Sequence, residues 1–206
     1  MSLKAFAGRV LAPLARRTPF SPNALTGIAL LFSLAAAVTL AQAARFPVAF
    51  LIAIVLSMIG GFLDILDGVV ARERHLTSRW GDFLDHFCDR VSDLAWMVGW
   101  ILGAAIHPAL GLIALTAIML NGYAGTQVEA TFQSREYETT GRAEYFLAVI
   151  GLPLLAWFDP PRLQMGARSL SWLDLITALI AAGSFFGTFQ RLLKARRLAR
   201  SMNDAA

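Results

Sequence analysis

Six apolar segments set the strongest limit on what this chain can fold into, because each is close to the length that crosses a bilayer. In hydrocarbon every backbone polar group must find its partner within the protein, so segments of this length fold as helices. The chain is 57% hydrophobic and only 16% charged. The sequence therefore predicts an all-α integral membrane protein with six transmembrane helices, at about residues 24–43, 47–71, 82–106, 108–130, 143–158 and 172–194.

Residues 2–17 precede the first of these segments and are too short and too charged to span. They place an apolar stripe on one face and arginines on the other, which predicts an interfacial amphipathic helix; a loose basic tail is the alternative. The stripe consists of Leu3, Phe6, Ala7, Val10, Leu11 and Leu14, opposite Arg9 and Arg16. We expect a single membrane domain over 1–206, with this juxtamembrane helix, a bundle over 24–194 and a cytoplasmic tail over 195–206.

The charge pattern predicts the orientation of the chain. A net charge of +4 can indicate nucleic-acid binding, but here the basic residues lie in short flanks of apolar segments, which indicates a membrane surface and no nucleic-acid partner. With the N-terminus in the cytoplasm, fourteen Lys and Arg residues fall inside and three fall outside. The single cysteine leaves no internal disulfide framework.

Four aspartates, Asp64, Asp67, Asp85 and Asp89, cluster at the predicted cytoplasmic ends of the second and third spans. Their spacings of three and four place each pair on one helix face, so the two pairs can converge. Four carboxylates would repel each other without a positive partner, and an oxygen-only ligand set suits magnesium or manganese. The alternative for any single aspartate is a helix cap or a solvated surface position.

These residues belong to a longer pattern, Asp-x-x-Asp-Gly-x-x-Ala-Arg, eight residues, then Gly-x-x-x-Asp-x-x-x-Asp, spanning residues 64–89. The pattern resembles the signature of the CDP-alcohol phosphotransferases and matches it without a departure. The resemblance is closest to the phosphatidylinositol-phosphate and archaetidylinositol-phosphate synthase branch, which carries similar residues at 71–74 and 88–93. Ser21-Pro22-Asn23-Ala24-Leu25-Thr26 resembles the segment that precedes the first span in this family; from the residues alone it predicts only a helix start.

The resemblance implies transfer of a phosphatidyl-type group from a CDP-linked lipid to an alcohol, with release of CMP. It implies two divalent cations, magnesium or manganese, held by the four aspartates, with Asp64 and Asp85 shared and Asp89 also acting as the general base. Gly68 and Gly81 would let the nucleotide approach the backbone, and Arg72 would contact its diphosphate. The implied CDP-lipid-binding residues are Pro22, Asn23, Gly68, Ala71, Arg72, Ser78 and Gly81.

The acceptor is harder to predict, because the basic run that the branch carries in its fourth span is replaced here by residues 123–129, YAGTQVE. Arg142, Arg191 and Gln127 remain as acceptor-binding candidates, although the arginines can equally be helix-end anchors. A phosphorylated polyol, inositol phosphate or glycerol phosphate, is favoured, while serine or an unphosphorylated alcohol stays open. Gly125-Thr126-Gln127 resembles the residues that archaeal enzymes of this group carry, which would allow an archaeol-based donor in place of diacylglycerol. The family resemblance also implies a homodimer.

Two other classes of function compete with this prediction. A small cation transporter would use the aspartates as an ion path and predicts acidic residues spread through the membrane depth. A non-catalytic membrane scaffold would tolerate the loss of Asp89, which is present. The clustering of the carboxylates beside Arg72 favours the enzyme. We expect the site at the cytoplasmic side of a bacterial inner membrane or an archaeal membrane.

Overall fold

A computed structural model describes residues 3–103, 106–132, 151, 154, 156–158, 163–165 and 168–203. Within these residues the secondary structure is helical apart from one short hairpin. The helices are α1 Leu3–Arg17, α2 Pro22–Ala41, α3 Ala49–Glu73, α4 Arg79–Leu102, α5 Pro108–Phe132 and α6 Trp172–Asn203. Most of the fifth predicted span, 143–158, lies outside the described residues.

Four of the described helices, α2, α3, α5 and α6, are long and apolar enough to cross a membrane. The third predicted span corresponds to α4, which is long enough but does not meet the same standard of hydropathy. The reason is its charge, because α4 carries Arg79, Asp82, Asp85, Asp89, Arg90 and Asp93. An apolar helix with this many charges needs partners within the protein.

The chain divides into two compact units, Met1–Gly99 and Trp100–Ala206. In the first unit, α3 is the central element, with both α1 and α2 packed against it. The predicted N-terminal helix is therefore a helix that docks on α3, and an exposed ion pair joins Arg16 Nε to Glu73 Oε2 at 2.9 Å. One buried cluster of this unit consists of Ala15, Leu25, Leu66, Val69 and Val70, flanked by Leu11 and Leu63.

Two glycines of the first unit permit close helix contacts. A Cβ atom added to Gly60 of α3 would lie 3.2 Å from the carbonyl oxygen of Ala29 in α2. A Cβ atom added to Gly99 of α4 would lie 2.5 Å from the carbonyl oxygen of Ala37, also in α2. Since real side chains do not tolerate the second distance, a residue larger than glycine at position 99 would force these helices apart.

The second unit contains α5 packed along α6, together with the hairpin. Strands β1 Leu163–Met165 and β2 Arg168–Leu170 pair antiparallel, with Leu163 opposite Leu170 and Met165 opposite Arg168. The hairpin lies between the last two predicted spans and was not predicted, because strands of three residues are too short to show an alternating pattern. The last span was predicted to end at 194, whereas α6 continues through most of the predicted tail to Asn203.

Candidate active site

The four aspartates of the sequence motif come together at α3 and α4 of the first unit. Asp64, Asp67 and Asp85 each offer a carboxylate oxygen, and these atoms lie within 4.8 Å of one another. Asp89 joins through a second group of three, formed with Asp85 and His86 under the same distance limit. Because like charges at this separation disfavour ionisation, a cation between them would stabilise the cluster. The sequence predicted this convergence from two helical spacings.

His86 is also part of this cluster and was not among the residues predicted from the sequence. Its imidazole is exposed and offers a nitrogen ligand atom beside Asp85 and Asp89. The signal was present, since His86 directly follows one motif aspartate and precedes the other by three positions. The atoms that could bind a metal ion are therefore carboxylate oxygens and one imidazole nitrogen. The oxygens suit magnesium, and the combination suits manganese as well.

Asp67 is the most enclosed of the four aspartates, with 6% of the residue exposed. Its Oδ2 atom accepts a hydrogen bond of 2.5 Å from the Thr26 hydroxyl, and Thr26 is itself 5% exposed. Burial of a carboxylate is costly unless it is hydrogen-bonded and paired. Thr26 of α2 supplies the hydrogen bond. A cation bound between Asp67 and the neighbouring carboxylates would supply the opposite charge.

Three of the predicted CDP-lipid-binding residues meet where α2 and α4 begin. The Ser78 hydroxyl accepts a hydrogen bond of 3.0 Å from the Gly81 backbone N–H, which caps the start of α4. A Cβ atom at Gly81 would lie 3.2 Å from Ser78 Oγ and 3.3 Å from Asn23 Oδ1. Pro22 opens α2 after the N-cap residue Ser21. Glycine at 81 thus keeps open a space that two polar side chains border.

Gly68 and Arg72 form a second pair, one helical turn apart on α3. A Cβ atom at Gly68 would lie 3.3 Å from Arg72 Nη1, so the guanidinium folds back over the glycine. Ala71 is half-buried on the same helix. The exposed Arg72 thereby carries its forked donors along the turn that follows Asp67, a geometry suited to a diphosphate.

The loop between α3 and α4 is tied to the chain that links α1 and α2. Arg74 donates hydrogen bonds to the carbonyl oxygens of Thr18 and Phe20, the latter at 3.5 Å. His75 has a φ of 55°, in the left-handed region that favours glycine and that Asn, Asp and His adopt more often than other residues. These contacts hold the segment around Asn23 next to the start of α4, a connection that no sequence spacing indicated.

The acceptor candidates are on the second unit. Arg191 of α6 donates a hydrogen bond of 2.5 Å to the backbone oxygen of Asn121 in α5, and its guanidinium lies where a Cβ atom of residue 125 would be. Gln127 and Arg191 both line a groove of about 390 Å³ between the two helices. Arg142 lies outside the described residues. Because residue 125 is a glycine, the Arg191 side chain of α6 can reach across the surface of α5.

Comparison with known proteins agrees with this geometry. Residues 20–185 match the family model described as CDP-alcohol phosphatidyltransferase. A phosphatidylinositol phosphate synthase of Mycobacterium marinum is 31% identical over 199 residues, covering 89% of this chain and 80% of that protein. An archaetidylinositol phosphate synthase of Methanothermobacter thermautotrophicus is 27% identical over 186 residues, covering 90% of this chain and 88% of that protein.

Solved structures show the same likeness. The Mycobacterium tuberculosis phosphatidylinositol phosphate synthase with CDP-DAG bound has a TM-score of 0.71 and 26% identity, covering 91% of this chain and 94% of that one. Its complex with manganese and citrate has a TM-score of 0.70 and 25% identity, covering 89% and 88%.

The chain belongs to the CDP-alcohol phosphatidyltransferase family. It is an integral membrane enzyme of phospholipid synthesis that uses divalent cations. The four apolar helices among the described residues fit the membrane location, and the acidic cluster fits the use of cations. The resemblance found in residues 64–89 is therefore confirmed. This membership sets aside the cation transporter and the non-catalytic scaffold.

Proposed function

We propose that this chain transfers the phosphatidyl-type group of a CDP-linked lipid to a hydroxyl of inositol phosphate and releases CMP. The observation that carries the proposal is the convergence of Asp64, Asp67 and Asp85 within 4.8 Å, with Asp89 beside Asp85. Relatives named phosphatidylinositol phosphate and archaetidylinositol phosphate synthases support the acceptor. Glycerol phosphate, serine and inositol remain as the acceptors against which this proposal is tested.

In this proposal Asp64, Asp67, Asp85 and Asp89 hold two divalent cations, which neutralise the diphosphate and the charge that develops on the leaving CMP. Asn23, Ser78 and Gly81 border the space for the nucleotide, and Pro22, Gly68 and Ala71 shape the helix faces around it. Arg72, on the exposed side of α3, pairs its positive guanidinium with the negative diphosphate.

Asp89 accepts the proton of the acceptor hydroxyl. The hydroxyl oxygen forms a bond to the lipid-side phosphorus, and the bond between that phosphorus and the bridging oxygen breaks, so that oxygen leaves with CMP. The carboxylate acts mainly through its position, because a base among cations has little intrinsic strength. The half-buried placement of Asp89 on α4 is suited to such a fixed position.

The groove between α5 and α6 is the proposed contact surface for the acceptor. Arg191 provides a cation there and Gln127 an amide, while Thr188 and Thr131 add hydroxyls to the lining. A guanidinium recognises a phosphate through paired donors, which favours a phosphorylated acceptor over serine or free inositol. Arg142 is a further candidate that rests on the sequence alone.

The proposed setting is a single domain of six transmembrane helices, acting as a homodimer with its site on the cytoplasmic side. The excess of basic residues on the flanks assigned to the cytoplasm supports this orientation. Thr77 is exposed in the loop between α3 and α4. A Thr77→Cys variant should react with an impermeant thiol reagent in inverted vesicles and stay unmodified in right-side-out vesicles; the reverse pattern would contradict the orientation.

The function is tested by CMP release from CDP-diacylglycerol and CDP-archaeol by the purified chain with Mn²⁺. Each donor is combined with inositol phosphate, glycerol phosphate, serine and inositol, and Asp89→Asn runs beside the wild type. We expect release that depends on inositol phosphate and is lost in Asp89→Asn. Release that depends on another acceptor would contradict the proposed substrate, and release that survives in Asp89→Asn would contradict the proposed base.

A further inference from the structure

Thr26 lies one turn after Pro22 in α2 and contacts the acidic cluster from outside the sequence motif. Its Oγ1 atom is 2.5 Å from Asp67 Oδ2 and 3.1 Å from the carbonyl oxygen of Pro22. Both Thr26 and Asp67 are buried, so water does not compete for this contact. A hydroxyl carries one proton and can donate only one of these two hydrogen bonds.

Other helical threonines of the chain show which acceptor takes the proton. Four of them donate to the carbonyl oxygen four residues earlier at distances of 2.7–2.9 Å: Thr39, Thr116, Thr177 and Thr188. At Thr126, which has a second acceptor in the Tyr123 carbonyl at 2.9 Å, the distance to the carbonyl oxygen four residues earlier is 3.3 Å. At Thr26 that distance is 3.1 Å, and the distance to the second acceptor, Asp67, is shorter than any of these. With a cation bound, the Asp67 carboxylate is ionised, so it only accepts hydrogen bonds and is the stronger acceptor. The Thr26 proton is therefore directed to Asp67.

We propose that Thr26 is a positioning residue of the metal site, whose hydroxyl fixes the orientation of the Asp67 carboxylate toward the cation. The proposal rests on the proposed role of Asp67 as a ligand. Carboxylates that bind metals are commonly held by hydrogen bonds to a second group, and loss of that group weakens metal binding by about 10–100-fold. Asp67 lies within 4.8 Å of Asp64 and Asp85, so a rotated Asp67 carboxylate would disrupt the whole group.

Thr26 also connects the cation site with the proposed nucleotide site. Its hydroxyl lies between the Asp67 carboxylate and the Pro22 carbonyl. Asn23, which directly follows Pro22, borders Gly81 at the start of α4. The first turn of α2 therefore contacts both parts of the site through two side chains, Asn23 and Thr26, that are only three residues apart. Loss of the hydroxyl should raise the KM for the CDP-lipid along with the dissociation constant for Mn²⁺.

The test measures Mn²⁺ binding to the full-length chain in detergent, from the loss of the free Mn²⁺ signal in electron paramagnetic resonance. Thr26→Val keeps the shape of the side chain and removes the hydroxyl, while Thr26→Ser keeps the hydroxyl. Thr39→Val is the matched control, because Thr39 makes the same type of backbone bond in the same helix at 2.7 Å. We expect binding about tenfold weaker in Thr26→Val, and binding within about twofold of wild type in the other two variants.

The effect should also depend on Asp67. In the Asp67→Asn background, Thr26→Val should weaken Mn²⁺ binding no further, because the carboxylate it positions is absent. Equal affinity in wild type and Thr26→Val, or equal losses in Thr26→Val and Thr39→Val, would overturn the proposal. If Thr26→Val does not fold, Thr26→Ala takes its place. Misfolding of both, with Thr26→Ser folded, would assign the hydroxyl to the fold and would overturn the proposal as well.

Failure of the proposed function gives a different result. If wild-type protein releases no CMP with any acceptor but still binds Mn²⁺ more tightly than Thr26→Val, the positioning role stands and the reaction is wrong. If CMP release requires inositol phosphate and Thr26→Val binds Mn²⁺ as wild type does, the reaction stands and the positioning role is wrong.

Discussion

Asp67 and Asp174 are two carboxylates with the same burial and different surroundings. Each belongs to a long apolar helix, α3 in the first unit and α6 in the second, and each is 6% exposed. Asp174 accepts hydrogen bonds from the backbone N–H groups of His107 at 2.7 Å and Ser171 at 2.9 Å, and from the Ser171 hydroxyl at 3.1 Å. Asp67 accepts hydrogen bonds from the Thr26 hydroxyl and the Gly68 backbone N–H, and it lies beside two other carboxylates.

The difference shows that burial of a charge in a membrane protein does not by itself indicate a functional site. At Asp174 the protein supplies the donors, and the carboxylate anchors the start of α6 and the residue before α5. At Asp67 the neighbouring groups are like charges, and in the proposed function a cation supplies the positive partner. In that proposal the kind of neighbour separates a structural carboxylate from a ligand.

Among the substitutions that test this comparison, we expect the largest effect on CMP release at Asp89. Asp89→Asn removes the proposed base with almost no change in size, and CMP release should fall by about 10²–10⁴-fold, the usual contribution of a general base. The assay is the acceptor-dependent release described above. A variant that keeps more than a tenth of wild-type activity would remove Asp89 from the chemistry, and Asp174→Asn, assayed as folded protein, is the control that should stay active.

Asp67→Asn should lower Mn²⁺ affinity by at least about tenfold, because it removes a charged ligand from the cluster. It should not lower the melting temperature of the metal-free chain, since one of three repelling charges is gone and the Thr26 hydroxyl can still donate to the amide oxygen. Mn²⁺ binding and thermal unfolding in detergent check the two parts. In wild type, chelation should lower the melting temperature; in Asp67→Asn it should have a much smaller effect.

Asp174→Asn should give the opposite pattern. An amide NH₂ group would face a backbone N–H at one of the two oxygen positions, and the lost hydrogen bond should cost about 1–3 kcal/mol of stability. Thermal unfolding measures this loss, and Mn²⁺ affinity of the folded protein should equal that of wild type. Weaker Mn²⁺ binding in Asp174→Asn than in Asp67→Asn would break the comparison.

The smallest effect is expected at Ser171, whose hydroxyl accepts a hydrogen bond of 3.1 Å from the Asp174 backbone N–H. Ser171→Ala removes this cap of α6 and should cost about 0.5–2 kcal/mol. The measurement is again thermal unfolding, with Ser201→Ala near the C-terminal end of the same helix as the control. A loss in Ser201→Ala as large as in Ser171→Ala would mean that capping at Ser171 is not the cause.

The sequence predicted the acidic cluster well because its information is local. Spacings of three and four within a helix decide which side chains share a face, and the short loop between α3 and α4 brings the two faces together. The long apolar helices were predictable for the same reason, since length and hydropathy are local properties. Asp85 and Asp89, two of the charges that make α4 depart from the apolar pattern, belong to the acidic cluster.

Contacts between distant residues were beyond the sequence. Thr26 is 41 residues from Asp67, and Asp174 is 67 residues from His107, so no periodicity links either pair. The close approach of Gly99 to the Ala37 backbone is likewise a contact between distant residues, and the structure identifies it. The replaced basic run predicted a change near residue 125, but only the structure shows that Arg191 occupies the space above Gly125.

The most direct test of the central claim is formation of the lipid product from CDP-diacylglycerol and inositol phosphate, followed by mass spectrometry as Mn²⁺ is titrated into wild-type protein. The account predicts that a phosphatidylinositol phosphate forms together with an equal amount of CMP, that it appears only with the cation, and that half-maximal formation occurs near the Mn²⁺ dissociation constant measured by paramagnetic resonance. Equal product formation in the presence of excess chelator, or CMP release without a lipid product, would contradict it.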